Sequence, residues 1–195
     1  MAPTTLEYWA GRAVMRGRRI SRIGVSAGQW NPPPHSSSFI ICGLVGSLSS
    51  ELAPGSVFIP EIVADENGTS FQCNPRLVQT MQSSARSLGL KPHAGRMLTS
   101  STIVTGTARA KWKDAGFDGV DMETAIVARS GVAFVSVRVV LDSPDRPISS
   151  EWLQSRTAML KPQLWPELIW MTIFAPTYAV RAAQVVARGL TELDS

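Results

Sequence analysis

The sequence predicts a single α/β domain spanning residues 1–195. Three observations carry that expectation. Short apolar, β-branched runs alternate along the chain with segments whose apolar residues recur at helical spacing, the pattern of a layered α/β domain. One run, Ala133 to Leu141 (AFVSVRVVL), is rich enough in β-branched residues to stand as the strongest strand. That strand ends on an acid, Asp142, at the edge where open α/β sheets place their ligand crevice. A chain of 195 residues buries a core large enough to fold without disulfide or metal staples, and no internal repeat is visible.

Taken in order, Thr5 to Met15 (TLEYWAGRAVM) predicts a short amphipathic helix and Ile20 to Ser26 (ISRIGVS) a short strand. Gly28 to Pro34 cannot be regular structure, because three consecutive prolines remove three backbone donors. Phe39 to Cys42 (FIIC) has the continuous apolar character of a buried strand and runs into a glycine turn, Gly43 to Ser47. Val57 to Val63 (VFIPEIV) predicts another strand, with Pro60 placing it at a bulge or an edge. Asn74-Pro75 opens a helix as cap and first residue, Leu77, Val78, Met81, Ala85 and Leu88 give its apolar face, and Gly89 ends it. Gly95 to Val104 is a strand or extended loop, and Thr107 to Ala115 a shorter helix closed by Gly116. Gly119 to Thr124 leads into a helical turn, Ala125 to Arg129, which Gly131 stops. Ser143 to Pro147 is a turn. The remainder is expected to be helical with breaks at Pro162, Pro166 and Pro176, and with a final helix from Tyr178 to Leu190.

Composition narrows the function classes. A net charge of +4 is too small for a nucleic-acid-binding surface. The basic excess is local: Arg12, Arg16, Arg18, Arg19 and Arg22 read either as a solvated helix face and basic turn or as a contact for phosphate or an anionic membrane. Cys42 and Cys73 form no CxxC pair, and His35 and His93 lie far apart in loops, so neither a disulfide framework nor a metal site is expected and a cytoplasmic location fits. No apolar run reaches the ~20 residues of a spanning helix. The nearest, Leu168 to Ala175, reads as a buried helix turn, although Trp165 and Trp170 leave a peripheral membrane contact open.

Two acids stand out physically. Asp142 follows an apolar strand, and Glu123 lies about one helix plus one strand earlier in the chain, so both can face one crevice. Each also has a plainer explanation: Asp142 can cap the turn before Pro144, and Glu123 can favour the positive end of the helix that it begins. Spacing alone does not choose between them.

Three segments resemble the nucleoside phosphorylase and nucleosidase family, which includes the methylthioadenosine/S-adenosylhomocysteine nucleosidases. Phe39 to Leu48 (FIICGLVGSL), with Leu52 to Ile59 after it, is similar to the family's strand, glycine turn and following segment. Val120 to Ala128 (VDMETAIVA) resembles its V-[DE]-M-E-[ST]-A-A-x-A, and Phe134 to Asp142 (FVSVRVVLD) its F-x-x-[IV]-R-x-[IV]-S-D. The resemblance covers roughly residues 39 to 145 and implies a three-layer αβα sandwich with a mixed central sheet, here N-terminally shortened. It implies cleavage of the N-glycosidic bond of a purine nucleoside, with adenine the favoured base. Asp142 would be the general acid that protonates the purine at N7. Glu123 would grip the ribose hydroxyls, Met122 would pack on the sugar, and Ile103 and Val104 would contact the base. Gly43 and Gly46 would let the backbone approach the ligand. No metal or organic cofactor is implied; the nucleophile is water or phosphate as co-substrate. Relatives form homo-oligomers.

The chain departs from the family's pattern at its N-terminal side. Relatives begin with a strand and a loop holding an acid that activates water; here Glu7 lies in a different context. Leu44 stands where phosphate-using relatives have Ser. Three hypotheses follow: a purine nucleosidase or phosphorylase, a nucleoside-binding protein that has lost catalysis, and an interaction protein with an inherited fold. Within the first, the G-L-x-G turn and the Trp-bearing C-terminal helix are similar to hopanoid-associated phosphorylases, which act on an adenosylated lipid.

Overall fold

The computed structural model describes residues 5–15, 17–18, 20–21, 33, 36–149, 151 and 160–194. Seven strands, β1 (Ser38–Ser47), β2 (Val57–Phe58), β3 (Ile62–Asp65), β4 (Ser70–Gln72), β5 (Arg96–Thr99), β6 (Gly119–Asp121) and β7 (Ala133–Asp142), form one mixed sheet. Their order across it is β2-β7-β1-β6-β5-β3-β4. The two long strands are its spine. β1 and β7 run parallel, in register from Ser38–Ala133 to Val45–Val140. Their apolar residues Ile41, Val135, Val137 and Val139 are wholly buried, each contributing about 1.5–3 kcal/mol of hydrophobic burial.

Among the described residues, five α-helices pack on this sheet: α1 (Thr5–Val14), α2 (Pro75–Ser87), α3 (Thr107–Asp114), α4 (Thr124–Ala128) and α5 (Trp165–Asp194). α5 packs on α1 and on α2 and over β1 and β7, with α1 also against β1 and α2 against β7. α5 approaches through small residues, burying Ala179, Ala182 and Ala183 beside Val185 and Val186. α4 lies over β3, β5 and β7, where its Thr124 hydroxyl is 3.3 Å from that of Ser136. The α/β class and the mixed central sheet expected from the sequence are therefore present.

The local chemistry behaves as expected at α2. The Asn74 side chain accepts from the Leu77 amide at 3.1 Å, Pro75 occupies the first turn, and Gly89 takes the left-handed conformation, with φ +74°, beyond its end. Gly116 and Gly131 likewise have positive φ after α3 and α4.

Four expectations need correction. Gly43 to Ser47 is not a turn. β1 continues through it, and after a register shift between Val45 and Gly46 the strand pairs with Asp142 on one side and antiparallel with Val120 on the other. Val57 to Val63 is not one strand: β2 pairs with β7, β3 pairs with β5, and the break falls at Ile59-Pro60-Glu61, where proline cannot donate to a ladder. Pro176 does not break the C-terminal segment; α5 runs through it from Trp165 to Asp194. The run Leu168 to Ala175 is not a buried turn, because Ile169 and Ile173 on α5 are more than half exposed. The predicted strand Ile20 to Ser26 and the proline loop fall almost entirely outside the described residues, as do Arg16, Arg19, Arg22 and His35. Among the described residues no helix is long and apolar enough to cross a membrane.

Candidate active site

The bulge in β1 brings the ends of β1, β7 and β6 together, and a cavity of about 430 Å³ opens there, a size usual for small-molecule sites. Asp142, Glu123, Met122, Ile103, Val104 and Gly46 all line it. Of the sequence-predicted residues, Gly43 alone is not on its wall. The remaining surface is largely apolar, from Leu44, Val45, Leu141, Ile148 and, on α5, Met171.

Asp142 is the last residue of β7 and is buried. Its Oδ2 accepts from the Ile148 amide at 3.3 Å and from Nη2 of Arg109, a buried residue of α3. Burial raises its pKa above the ordinary aspartate value, and the Arg109 charge works in the opposite direction. The net direction is upward, so the protonated form persists to higher pH than in an exposed aspartate.

Glu123 precedes α4 and is buried with Asp121, the last residue of β6. Arg138, a wholly buried residue of β7, holds this acidic corner together. Its Nη2 donates to Asp121 and lies 3.8 Å from Glu123, its Nε donates to Ser136 at 3.0 Å, and its Nη1 donates to the Leu44 carbonyl at 3.3 Å. Asp121 also accepts from Thr99 Oγ1 at 2.7 Å and from the Thr124 amide at 3.1 Å. Asp121 is thus saturated with donors, whereas Glu123 is not held so closely. Burial, then the neighbouring Asp121 charge, pushes the Glu123 carboxyl up to about 8, with Arg138 pulling the other way.

The third acid comes from the N-terminal helix. Glu7 on α1 is buried, lines the cavity, and accepts from the Leu44 amide at 2.7 Å. The expectation that no N-terminal acid takes part in this region is corrected by that placement. It also explains Gly43: a β-carbon there would run into the Glu7 carboxylate and lie 2.7 Å from Arg138 Nη1. The bare backbone at position 43 makes room for these two side chains rather than for a ligand. At Gly46 the added carbon would face the cavity wall, 2.9 Å from Asp142 Oδ1.

Sequence reasoning missed Glu7, Arg109, Asp121 and Arg138. Arg138 had a signal, being a charge in the middle of an otherwise apolar strand, and such a residue must be paired. Arg109 and Glu7 lie on short helices with no periodic feature that separates them from solvent-facing charges. Among the described residues no group of His, Cys, Asp and Glu is arranged to hold a metal ion. The site therefore offers four carboxyl groups in different environments around an apolar chamber, Asp121 being the one saturated with donors. Of the other three, Asp142 is paired with a cation on one oxygen, Glu123 is shifted by burial towards its protonated form, and Glu7 is tied to a backbone amide.

The chain belongs to the phosphorylase superfamily, whose family model matches residues 35–159, well over half of its length. Its fold is that of several solved nucleosidases. The 5'-methylthioadenosine/S-adenosylhomocysteine nucleosidase of Neisseria meningitidis, in complex with methylthio-immucillin-A, superposes with a TM-score of 0.74 at 16% identity, covering 98% of this chain and 96% of that one. A futalosine hydrolase mutant of Helicobacter pylori gives 0.73 at 11% identity, with the same coverage. The S-adenosylhomocysteine nucleosidase of Streptococcus pyogenes, in complex with 5-methylthiotubericidin, gives 0.63 at 19% identity, covering 81% of this chain and 69% of that one. A comparison with curated protein sequences finds no match.

Proposed function

We propose that this protein hydrolyses the N-glycosidic bond of a purine nucleoside, with adenine the favoured base. The observation that carries the reading is the convergence of Asp142, Glu123 and Glu7 on one largely apolar cavity. Cleaving the bond builds positive charge on the sugar and negative charge on the leaving base. Asp142, whose carboxyl burial shifts towards the protonated form, gives its proton to N7 of the base as the C1′–N bond breaks and its electron pair passes into the ring. Glu123 takes the ribose hydroxyls. It is held protonated in the free cavity, and hydroxyl donors supply the hydrogen bonds that its ionised form lacks. Met122 packs on the sugar, while Ile103 and Val104 face the base. Water then bonds to C1′ and its proton passes to Glu7, the general base.

The placement of Glu7 favours water over phosphate. The two guanidiniums beside the cavity, Arg109 and Arg138, are both engaged with carboxylates, an arrangement that supports acid–base chemistry more than an anion clamp. It also removes the main motive for a binding-only protein. The apolar walls, Met171 included, support a nucleoside with an apolar substituent, a class that includes lipid-linked adenosine. The buried free thiols of Cys42 and Cys73 suit the cytoplasm. The apolar outer face of α5 supports a homo-oligomer.

The test is base release, followed by chromatography, from methylthioadenosine, S-adenosylhomocysteine, adenosine and inosine, with and without phosphate. Adenine release that needs no phosphate, and that falls by ~100-fold or more in Asp142→Asn and Glu7→Gln, is the expected result. Binding of nucleosides with no release from any of them would replace this reading with that of a binding protein. Release that requires phosphate would make phosphate the nucleophile.

A further inference from the structure

Arg109 is 3% exposed, so its charge must be fully compensated. All three of its nitrogens are engaged. Nε donates to the Val104 carbonyl at 2.9 Å, Nη1 donates to the Ser47 carbonyl at 2.9 Å, and Nη2 donates to Asp142. A side chain from α3 therefore ties together the cavity segment at Val104, the end of β1 and the acid at the end of β7. The guanidinium is rigid and planar, so fixing two of its arms on carbonyls fixes the third.

The two oxygens of Asp142 are not equivalent. The donors from Arg109 and Ile148 both fall on Oδ2. Oδ1 lies on the Gly46 side, 2.9 Å from where a β-carbon of that cavity-lining glycine would stand. A proton on Oδ2 would be driven against two N–H groups, so the acid form carries it on Oδ1.

We propose that Arg109 is a positioning residue for Asp142: with the Ile148 amide it occupies Oδ2 and so reserves Oδ1 as the atom that delivers the proton to the leaving base. This inference rests on the reading of Asp142 as the general acid. In the step, the Oδ1–H bond breaks, the base nitrogen takes the proton, and the C1′–N electron pair passes into the base. Asp142 is left as a carboxylate beside the Arg109 cation, a charge-assisted pair that stabilises the product of the transfer. The charged groups around Asp142 are Arg109 from α3 and, across the same cavity, Glu7 from α1, Asp121 at the end of β6 and Glu123 ahead of α4, while α5 presents Met171 there. Of these, Arg109 alone favours the ionised form of Asp142.

The experiment compares wild type with Arg109→Met and Arg109→Lys by two readouts. The first is a ¹³C NMR titration of labelled aspartate carboxyls without substrate, with the Asp142 signal assigned by its loss in Asp142→Asn. The second is the pH profile of base release. In Arg109→Met the Asp142 titration moves to higher pH, the basic limb of kcat moves with it, and kcat at its optimum falls by ~10- to 100-fold with KM little changed. Arg109→Lys restores the titration in part, and it also serves as the test if Arg109→Met does not fold. An unmoved titration and an unmoved basic limb in folded variants would overturn the role of Arg109 alone. Base release that survives Asp142→Asn would instead overturn the general-acid reading on which the proposal stands.

Discussion

A carboxyl group placed between a repelling acid and an attracting cation reports on both. Glu123 sits beside Asp121 and 3.8 Å from Arg138, and burial lifts its carboxyl to about 8. A carboxyl whose folded pKa is raised binds its proton more tightly in the native state, so the stability that it contributes is complete below the unfolded value, 4.5. That stability is lost as pH rises through about 8. Glutamine at this position mimics the protonated form and does not titrate. Glu123→Gln is therefore expected to lose less stability than wild type between pH 5 and pH 8, by a margin readable in thermal melts, since about 1 kcal/mol corresponds to roughly 2–4 °C at this size. Parallel melting curves across that range would show that Glu123 is not the titrating group. Glu123 and Asp142 stood out in the sequence because one begins a helical turn and the other ends a strongly patterned strand, while the family resemblance, not local pattern, suggested their roles. Glu7 did not, since its partners, the Leu44 amide and the space over Gly43, lie in a strand that reaches it only through tertiary packing. Arg109 was hidden for the same reason: its three acceptors come from β1, β7 and the loop before its own helix.

At the scale of elements, the readable parts were those with local causes. α2 has its cap, its proline and its terminal glycine within one short segment, and both ends fall where these residues put them. Asn74→Ala leaves the Leu77 amide without its 3.1 Å acceptor and is expected to cost about 1 kcal/mol, measured by denaturant unfolding. No residue of α2 lines the cavity, so turnover by the folded protein should not change. A fall in kcat without a fall in stability would show that α2 is coupled to the site. The elements misjudged were those fixed by partners. Gly43 to Ser47 has the composition of a turn, but β6 and β7 supply ladders on both sides and hold it as strand. Val57 to Val63 has the composition of a single strand, but its two halves find different neighbours across the sheet. Pro176 withdraws one amide from α5, and the helix continues because its inner face, Ala175 and Ala179 among it, is packed into the domain.

At the scale of the whole molecule, the described residues of α5 carry an apolar stripe that the fold leaves exposed. On α5, Trp165, Ile169 and Ile173 are 53%, 59% and 58% exposed and stand four residues apart, which puts them on one face of the helix. Trp170, on a different side, is buried with the Arg146 guanidinium over its ring at 4.6 Å, so the apolar stripe is not simply an unfinished core. A membrane-surface helix pairs such a stripe with Lys and Arg. Between Trp165 and Val180, α5 carries Glu167 and no basic residue, so electrostatic attraction to anionic lipid is missing from the face itself. A second copy of the chain would meet the stripe with an equally apolar surface, since a two-fold contact makes a patch its own complement. The expected outcome is a dimer in sedimentation equilibrium that Ile169→Glu with Ile173→Glu converts to monomer while the fold is retained by circular dichroism. Met171 lies between these two positions and lines the cavity, so dissociation is expected to weaken substrate binding before it affects the chemistry, seen as a raised KM with kcat less changed. A wild-type monomer that pelleted with neutral lipid vesicles through this same face would instead assign the stripe to a membrane.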